Sequence, residues 1–201
     1  MDYKKEYERW LNSADAETVN ELNSIKNDEN EIEERFYKTL EFGTAGLRGV
    51  IGAGPNRMNK YVVGQATQGL ANQLIKTNGS ADGVSVAIAY DSRIKSDEFA
   101  KTAAACLAAN GIKVYIFDEL KPVPMLSFTI GYLKTTAGIV VTASHNPAKY
   151  NGYKVYGADG AQLNPELAEI VLDEINKTDL FTGVKTCDFD EAVKNGKIIM
   201  L

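Results

Sequence analysis

The sequence predicts an α/β protein: a three-layer α/β/α domain on a mixed, largely parallel sheet, preceded by a helical amino-terminal arm. Three observations point there. Short β-branched runs alternate with longer stretches that carry helix caps, the pattern of βα units with helices on both faces of a sheet. Residues 2–40 are instead rich in Glu, Lys and Asn with spaced apolar positions. The chain has 201 residues, 44% of them hydrophobic, enough for one sizeable core and one compact domain.

In the arm, Tyr7, Trp10, Leu11, Leu22, Ile25, Ile32 and Phe36 recur at spacings that suit short amphipathic helices packed on something larger. "VSVAIAY" then reads as a strand, followed by "SRIKSDEFAKTAAACLAANG" as a helix. Ser96 is its expected cap, Asp97 and Glu98 lie in its first turn, and Gly111 is its stop. "IKVYIF" closes a strand–helix–strand unit, a shorter helix follows Pro124 through Leu133, and "AGIVVTA" is a further buried strand. The last clear element is the helix "NPELAEIVLDEINK", with Asn164 as N-cap and Pro165 at the first helical position. The closing "GKIIML" is apolar with no cap or turn after it. It reads either as a final edge strand or as a sign that these residues are one piece of a longer polypeptide.

The net charge of −5 argues against a broad surface for nucleic acid or an anionic membrane, so a bound anion needs a local site. "MDYKKEYERW" lacks the apolar core of a signal peptide, and no run approaches the ~20 apolar residues of a membrane span. A soluble cytoplasmic protein is expected. Cys106 and Cys187 are too sparse for a disulfide framework or metal cluster and are expected to be reduced and structural.

The chemistry concentrates in "TTAGIVVTASHNPAKYNGYKVYG", where the chain's one histidine, His145, follows Ser144. Ser144 falls just beyond a strand's carboxyl end, where open α/β sheets place ligands. Pro147 favours a loop there. One reading is a hydrolase, with His145 as base to Ser144. Against it, neighbours in extended backbone point to opposite sides, and the G-x-S-x-G elbow is absent. The other reading is a serine that carries phosphate. A phosphoserine brings about −1.5 to −2 charges and three acceptor oxygens, and so requires cations and N–H donors nearby. His145, the amide of Asn146, Lys149 and Lys154 are the candidates. A second cationic segment, "FGTAGLRGVIGAGPNRMNK", sets Arg48 among glycines that let backbone approach a ligand or take positive φ. It matches neither the P-loop nor G-x-G-x-x-G, so no nucleotide site follows. "YDSR" places Asp91 and Arg93 on the same rim, as an ordinary structural ion pair.

Taken together and in this order, "FGTAGLRG", "AYDSR" and "TASHNPAKYNGYK" resemble the first domain of the α-D-phosphohexomutases, the phosphoglucomutase/phosphomannomutase superfamily. "LEFGTAGLRGVIGAGPNRMN" after a helical arm looks most like the branch of bacterial phosphoglucomutases and eukaryotic phosphopentomutase-type enzymes. The resemblance implies an arm at 1–40, the family's first domain at 41–187, and the start of a linker or further domain at 188–201. It implies a four-domain cytoplasmic enzyme that moves phosphate between the 1- and 6-positions of a hexose through a bisphosphate, glucose 1,6-bisphosphate in the glucose case. Ser144 is then the phosphoserine, and its phosphate also ligates Mg²⁺. Arg48 contacts the phosphoserine region, Lys154 assists proton transfer, and His145 is a second candidate acid or base. Thr44, Gly46, Arg48, Asn146 and Lys154 fall in the substrate-binding segments. The family's Asp-rich metal loop, sugar loop and carboxy-terminal phosphate loop have no match here, and "GADGAQ" offers a single carboxylate. The implied partners are sugar phosphates and the remaining domains of the same polypeptide, and these residues alone are expected to be inactive. The alternative is a non-catalytic module that docks on partner domains.

Overall fold

The computed structural model describes residues 2–44 and 46–201, so Ala45 of the glycine-rich segment lies outside the described residues. The arm folds into three helices, α1 (Tyr3–Ser13), α2 (Ala16–Ser24) and α3 (Glu29–Phe36). Asp2, Asp15 and Asp28 cap them, each carboxylate accepting from backbone N–H groups of its own first turn. The arm's apolar faces meet at Trp10, which is fully buried. Its ring lies edge-on to Phe36, Tyr61 and Phe181 at centroid distances of 5.9, 5.3 and 5.3 Å.

Strand β1 (Leu47–Val50) follows, then helix α4 (Lys60–Asn78), strand β2 (Ser85–Tyr90), helix α5 (Ser96–Ala109) and strand β3 (Lys113–Ile116). Helix α6 (Val123–Leu133), strands β4 (Ala137–Val141) and β5 (Tyr150–Gly157), helices α7 (Pro165–Asn176) and α8 (Phe189–Lys194) and strand β6 (Ile198–Met200) complete the chain. The sheet order is β1-β5-β4-β2-β3-β6. β4, β2, β3 and β6 run parallel, while β5 is antiparallel to both β4 and β1. Side-chain alternation assigns the two faces. Val86, Ile88, Ile139, Val141, Tyr153 and Val155 join the core that includes α4, α5 and α7. Ala87, Ala89, Val140 and Tyr156 pack with Leu126 and Ile130 of α6. The mixed three-layer sandwich expected from the sequence is thus observed.

Several details differ from expectation. Ser96 does not cap α5. It is the first helical residue and fully buried, and its hydroxyl donates to Asp91 Oδ1 at 2.8 Å; the N-cap position is Lys95, with φ 61°. Helix α4 was not anticipated although Asn59 caps it and Gly79 ends it at φ 82°. β1 and β5 are strands that no β-branched run announces. As in the edge-strand reading of "GKIIML", β6 follows α8 and pairs with β3 at one edge of the sheet, while β1 forms the other edge. No helix among the described residues is long and apolar enough to cross a membrane. Cys106 is buried and its thiol pushed up to about 12 by burial; it and Cys187 are free.

The arm is held by charge as well as by rings. Arg9 pairs with Asp179 at 2.5 Å, Lys60 with Asp15 at 2.9 Å, and Arg35 with Glu21 and Glu31 at 2.5 and 2.8 Å. Glu21 also accepts the N–H of Ala53 at 2.9 Å, and the buried Arg57 binds Glu31 and Glu34. Asp179 is held down to about 2, first by the Thr182 N–H against the smaller upward push of burial, then by the Thr182 hydroxyl, the Phe181 N–H and Arg9. At Asp15 burial pushes upward, but the Tyr61 hydroxyl, Lys60 and Thr18 outweigh it and hold the group well below the carboxylate range. Both values lie below the ordinary 3.8. The stability these groups contribute is therefore complete above 3.8 and is lost as pH falls through their folded values. We expect Trp10, the chain's one tryptophan, to report this. Its fluorescence should shift toward the solvent-exposed spectrum as pH falls from 3.8 toward about 2. Asp179→Asn and Asp15→Asn should each flatten that transition; an unchanged profile in both would show that the arm is held by apolar contacts alone.

Candidate active site

The serine loop joins two antiparallel neighbours, running from Thr142 at the end of β4 to Lys149 before β5. Its base is closed by Thr142 N–H donating to Gly152 O at 3.0 Å. Inside it, Ser144 N–H donates to Thr142 Oγ1 at 3.0 Å, Asn146 N–H to Ala143 O at 3.1 Å, and Tyr150 N–H to Pro147 O at 2.9 Å. The Asn146 amide, expected as a phosphate donor, is therefore engaged within the loop. Ser144 is exposed and takes φ 56°, a left-handed conformation in which a non-glycine residue is uncommon.

That conformation overturns the expectation that the two neighbours point apart. Ser144 Oγ and His145 Nδ1 lie 3.3 Å from each other. His145 makes no other side-chain hydrogen bond among the described residues, so the orienting acid that a hydrolase triad requires is not in contact with it.

Arg48 lies on β1 opposite Gly152 of β5, and its Nη1 donates to Asn146 Oδ1 at 3.1 Å, joining the edge strand to the serine loop. Lys154 stands two residues beyond Gly152 and so shares that sheet face. Burial first, and then the like charge of Arg48, pull the Lys154 ammonium below its ordinary 10.5. Arg48 thus touches Asn146 and stands near Lys154. Thr44 is exposed in a turn closed by Gly46 N–H donating to Gly43 O at 2.7 Å. Gly46 sits at φ 74°, and a Cβ there would lie 2.0 Å from Tyr153 O and 2.9 Å from Lys154 Cα. Its bareness lets the turn lie against β5 beside Lys154. Gly54 serves the arm in the same way, a Cβ there meeting Arg35 O at 2.9 Å.

Arg93, expected on this rim as half of an ordinary ion pair, does more than pair with Asp91. The expected Asp91–Arg93 pair is long, 3.5 Å from Nε to Oδ2. The guanidinium instead gathers the serine loop's carbonyls: Nη2 donates to Ser144 O at 2.6 Å and Asn146 O at 2.7 Å, and Nη1 to Pro147 O at 3.1 Å and Tyr150 O at 3.2 Å. Asp91 accepts the Arg93 N–H at 3.0 Å and the Ser96 hydroxyl, and Ser96 Oγ in turn accepts from the fully buried Asn151 at 3.0 Å. The "AYDSR" motif was the available signal. Between these elements opens a cleft of about 460 Å³ lined by Asp91, Ser92, Arg93, Ile94, Ser144, Asn146 and Ala148. Among the described residues no three or more His, Cys, Asp or Glu side chains gather as a metal site, and Asp91 already serves hydrogen-bond donors. A divalent ion therefore does not fit this chain's residues by themselves.

A three-layer α/β/α domain that presents a serine on a loop beyond the end of a central strand, with an arginine of the edge strand donating into that loop, defines the class. Residues 39–181 match the family model described as phosphoglucomutase/phosphomannomutase, alpha/beta/alpha domain I. The chain is similar to the phosphoglucomutase of Staphylococcus saprophyticus, 40% identical over 189 residues, which cover 94% of this chain and 34% of that protein. It is 49% identical to the phosphoglucomutase of Staphylococcus haemolyticus over 144 residues, 72% of this chain and 26% of that one. Among solved structures, a protein assigned as a phosphomannomutase from Thermus thermophilus superposes with a TM-score of 0.67 at 26% identity, over 82% of this chain and 33% of that one. The chain belongs to the phosphoglucomutase/phosphomannomutase family, as its first, α/β/α domain. The matched stretches span between about a quarter and a third of the length of these relatives.

Proposed function

We propose that this chain is the phosphoserine-bearing domain of an enzyme that interconverts a sugar 1-phosphate and its 6-phosphate. The observation that carries the reading is the exposed, left-handed Ser144 on a loop into which Arg48 donates. In the forward step a sugar hydroxyl oxygen attacks the phosphorus on Ser144. The P–Oγ bond breaks, the sugar's proton passes to a base, and Ser144 Oγ takes up a proton. The resulting bisphosphate then returns its other phosphoryl group to Ser144 by the same step reversed. Phosphoryl transfer of this kind depends on positioning and charge stabilisation. Lys154 suits the proton-transfer role because its lowered pKa makes the neutral amine more accessible. His145, 3.3 Å from Ser144 Oγ, is the second candidate acid or base, placed to give Oγ its proton as the P–Oγ bond breaks. Arg48 and Asn146 bind the charged substrate, and Thr44 and Gly46 shape the wall beside Lys154.

In this reading Mg²⁺ would be held by the phosphate on Ser144 with ligands from the remaining domains, and would supply charge stabilisation to the transferring phosphoryl group. Sugar choice also lies outside them, and the remaining domains are the chain's partners. The test is incubation of the longer polypeptide, and of this chain alone, with glucose 1,6-bisphosphate and Mg²⁺, followed by phosphopeptide mapping. We expect phosphate on Ser144 in the longer polypeptide and little or no mutase turnover by the chain alone. Robust turnover by the chain alone would refute the requirement for further domains. Absence of phosphate on Ser144 in the longer polypeptide would favour a docking module. Labelling of Ser144 by a fluorophosphonate would revive the hydrolase.

A further inference from the structure

We propose that Arg93 is a positioning residue for phosphoryl transfer, the group that sets the backbone of the serine loop and through it the direction of Ser144 Oγ. The inference rests on the phosphoserine reading above. Its geometric part stands independently.

Three carbonyls of the loop, those of Ser144, Asn146 and Pro147, and that of Tyr150 at the start of β5 converge on a single guanidinium at 2.6, 2.7, 3.1 and 3.2 Å. Such convergence needs several donors in a fixed fork, which arginine has and lysine's single ammonium does not. One of the four carbonyls belongs to Ser144 itself, the residue at φ 56°. A left-handed serine is an uncommon state that persists only where its surroundings over-determine it. Arg93 supplies that constraint, and its own position is set from behind. Its side chain is 14% exposed, its N–H binds Asp91, and Asp91 is tied through Ser96 to the buried Asn151 of β5. The loop is therefore clamped from the β2 side by Arg93, while Arg48 on β1 touches only the Asn146 side chain.

Arg93 thus acts through the loop it holds and needs no contact with the sugar. The prediction separates it from a general structural residue. In the longer polypeptide, Arg93→Lys should lower kcat about a hundred-fold, the scale of a roughly 1 Å misplacement at a reacting centre. KM for the sugar phosphate and the melting temperature should stay near wild type. Arg93→Ala should show the same loss, partly restored by added guanidinium ion, whereas Arg93→Lys should not be restored. Hydrogen exchange in the chain should quicken at Asn146 and Tyr150 in both variants and stay unchanged at core strands. Wild-type kcat in Arg93→Lys, or exchange at Asn146 and Tyr150 unaltered in both variants, overturns the proposal. If the wild-type polypeptide takes no phosphate at all, the phosphoserine reading fails, and the exchange measurement still decides whether Arg93 sets the loop.

Discussion

Replacing Ser144 with alanine in the longer polypeptide should abolish mutase turnover, by roughly four orders of magnitude or more, the scale on which removal of a covalent nucleophile acts. Uncatalysed phosphate-ester cleavage is among the slowest reactions known, so without a side chain to hold the phosphoryl group no background route compensates. The side chain is exposed at the loop tip, so its loss removes no packing. Stability should move by less than about 1 kcal/mol, as for surface substitutions generally. Ser144→Gly sharpens the test. Glycine accepts φ 56° without strain, so this variant should melt no lower than Ser144→Ala while being equally inactive. Phosphopeptide mapping after exposure to glucose 1,6-bisphosphate should find no phosphate on either variant. Retained turnover in Ser144→Gly would place the phosphoryl acceptor elsewhere.

Trp10→Ala should be the most damaging substitution in the arm. The indole is fully buried among Phe36, Tyr61 and Phe181, which come from α3, α4 and the segment after α7. Removing a buried aromatic of this size costs about 3–5 kcal/mol through lost transfer energy and the cavity left behind. Domains of this size have about 5–15 kcal/mol in total. Urea unfolding followed by circular dichroism should show a large fall in midpoint. A midpoint close to wild type would mean that the arm's ion pairs hold it without the aromatic junction. The effect should reach the site, because the arm also grips Ala53 through Glu21 and the backbone beside Gly54 through Arg35, just after the strand that carries Arg48.

The parts of the fold that were legible in the sequence are those with local signals. Asn164 and Pro165 announce α7, and the β-branched interiors of β2 and β4 announce buried strands. Helix α4 was hidden because its first half is buried on nearly all sides. Val62, Val63, Gly64, Ala66, Thr67, Gln68, Gly69, Leu70 and Ala71 form no stripe with a polar opposite face. β1 has four residues with a glycine among them, and β5 alternates aromatics with Gly, Asn and Lys, so neither resembles a β-branched run. Ser144, Arg48 and Lys154 stand out in the sequence because the chemistry proposed for them lies in side-chain type and motif. Arg93 was undervalued for the opposite reason: its partners are backbone carbonyls, which no residue type announces. The left-handed turn at Ser144 was equally invisible, since serine has no marked preference for it.

The two outermost strands of the sheet, β1 and β6, have four and three residues, whereas the eight-residue β5 is flanked on both sides. Unpaired N–H and C=O rows at a sheet rim are templates for intermolecular strand addition, and brevity is one of the ways natural proteins blunt them. Handled by itself at high concentration, the domain therefore offers other copies little backbone to zip onto, and cross-β aggregation should begin only once the interior strands are laid open.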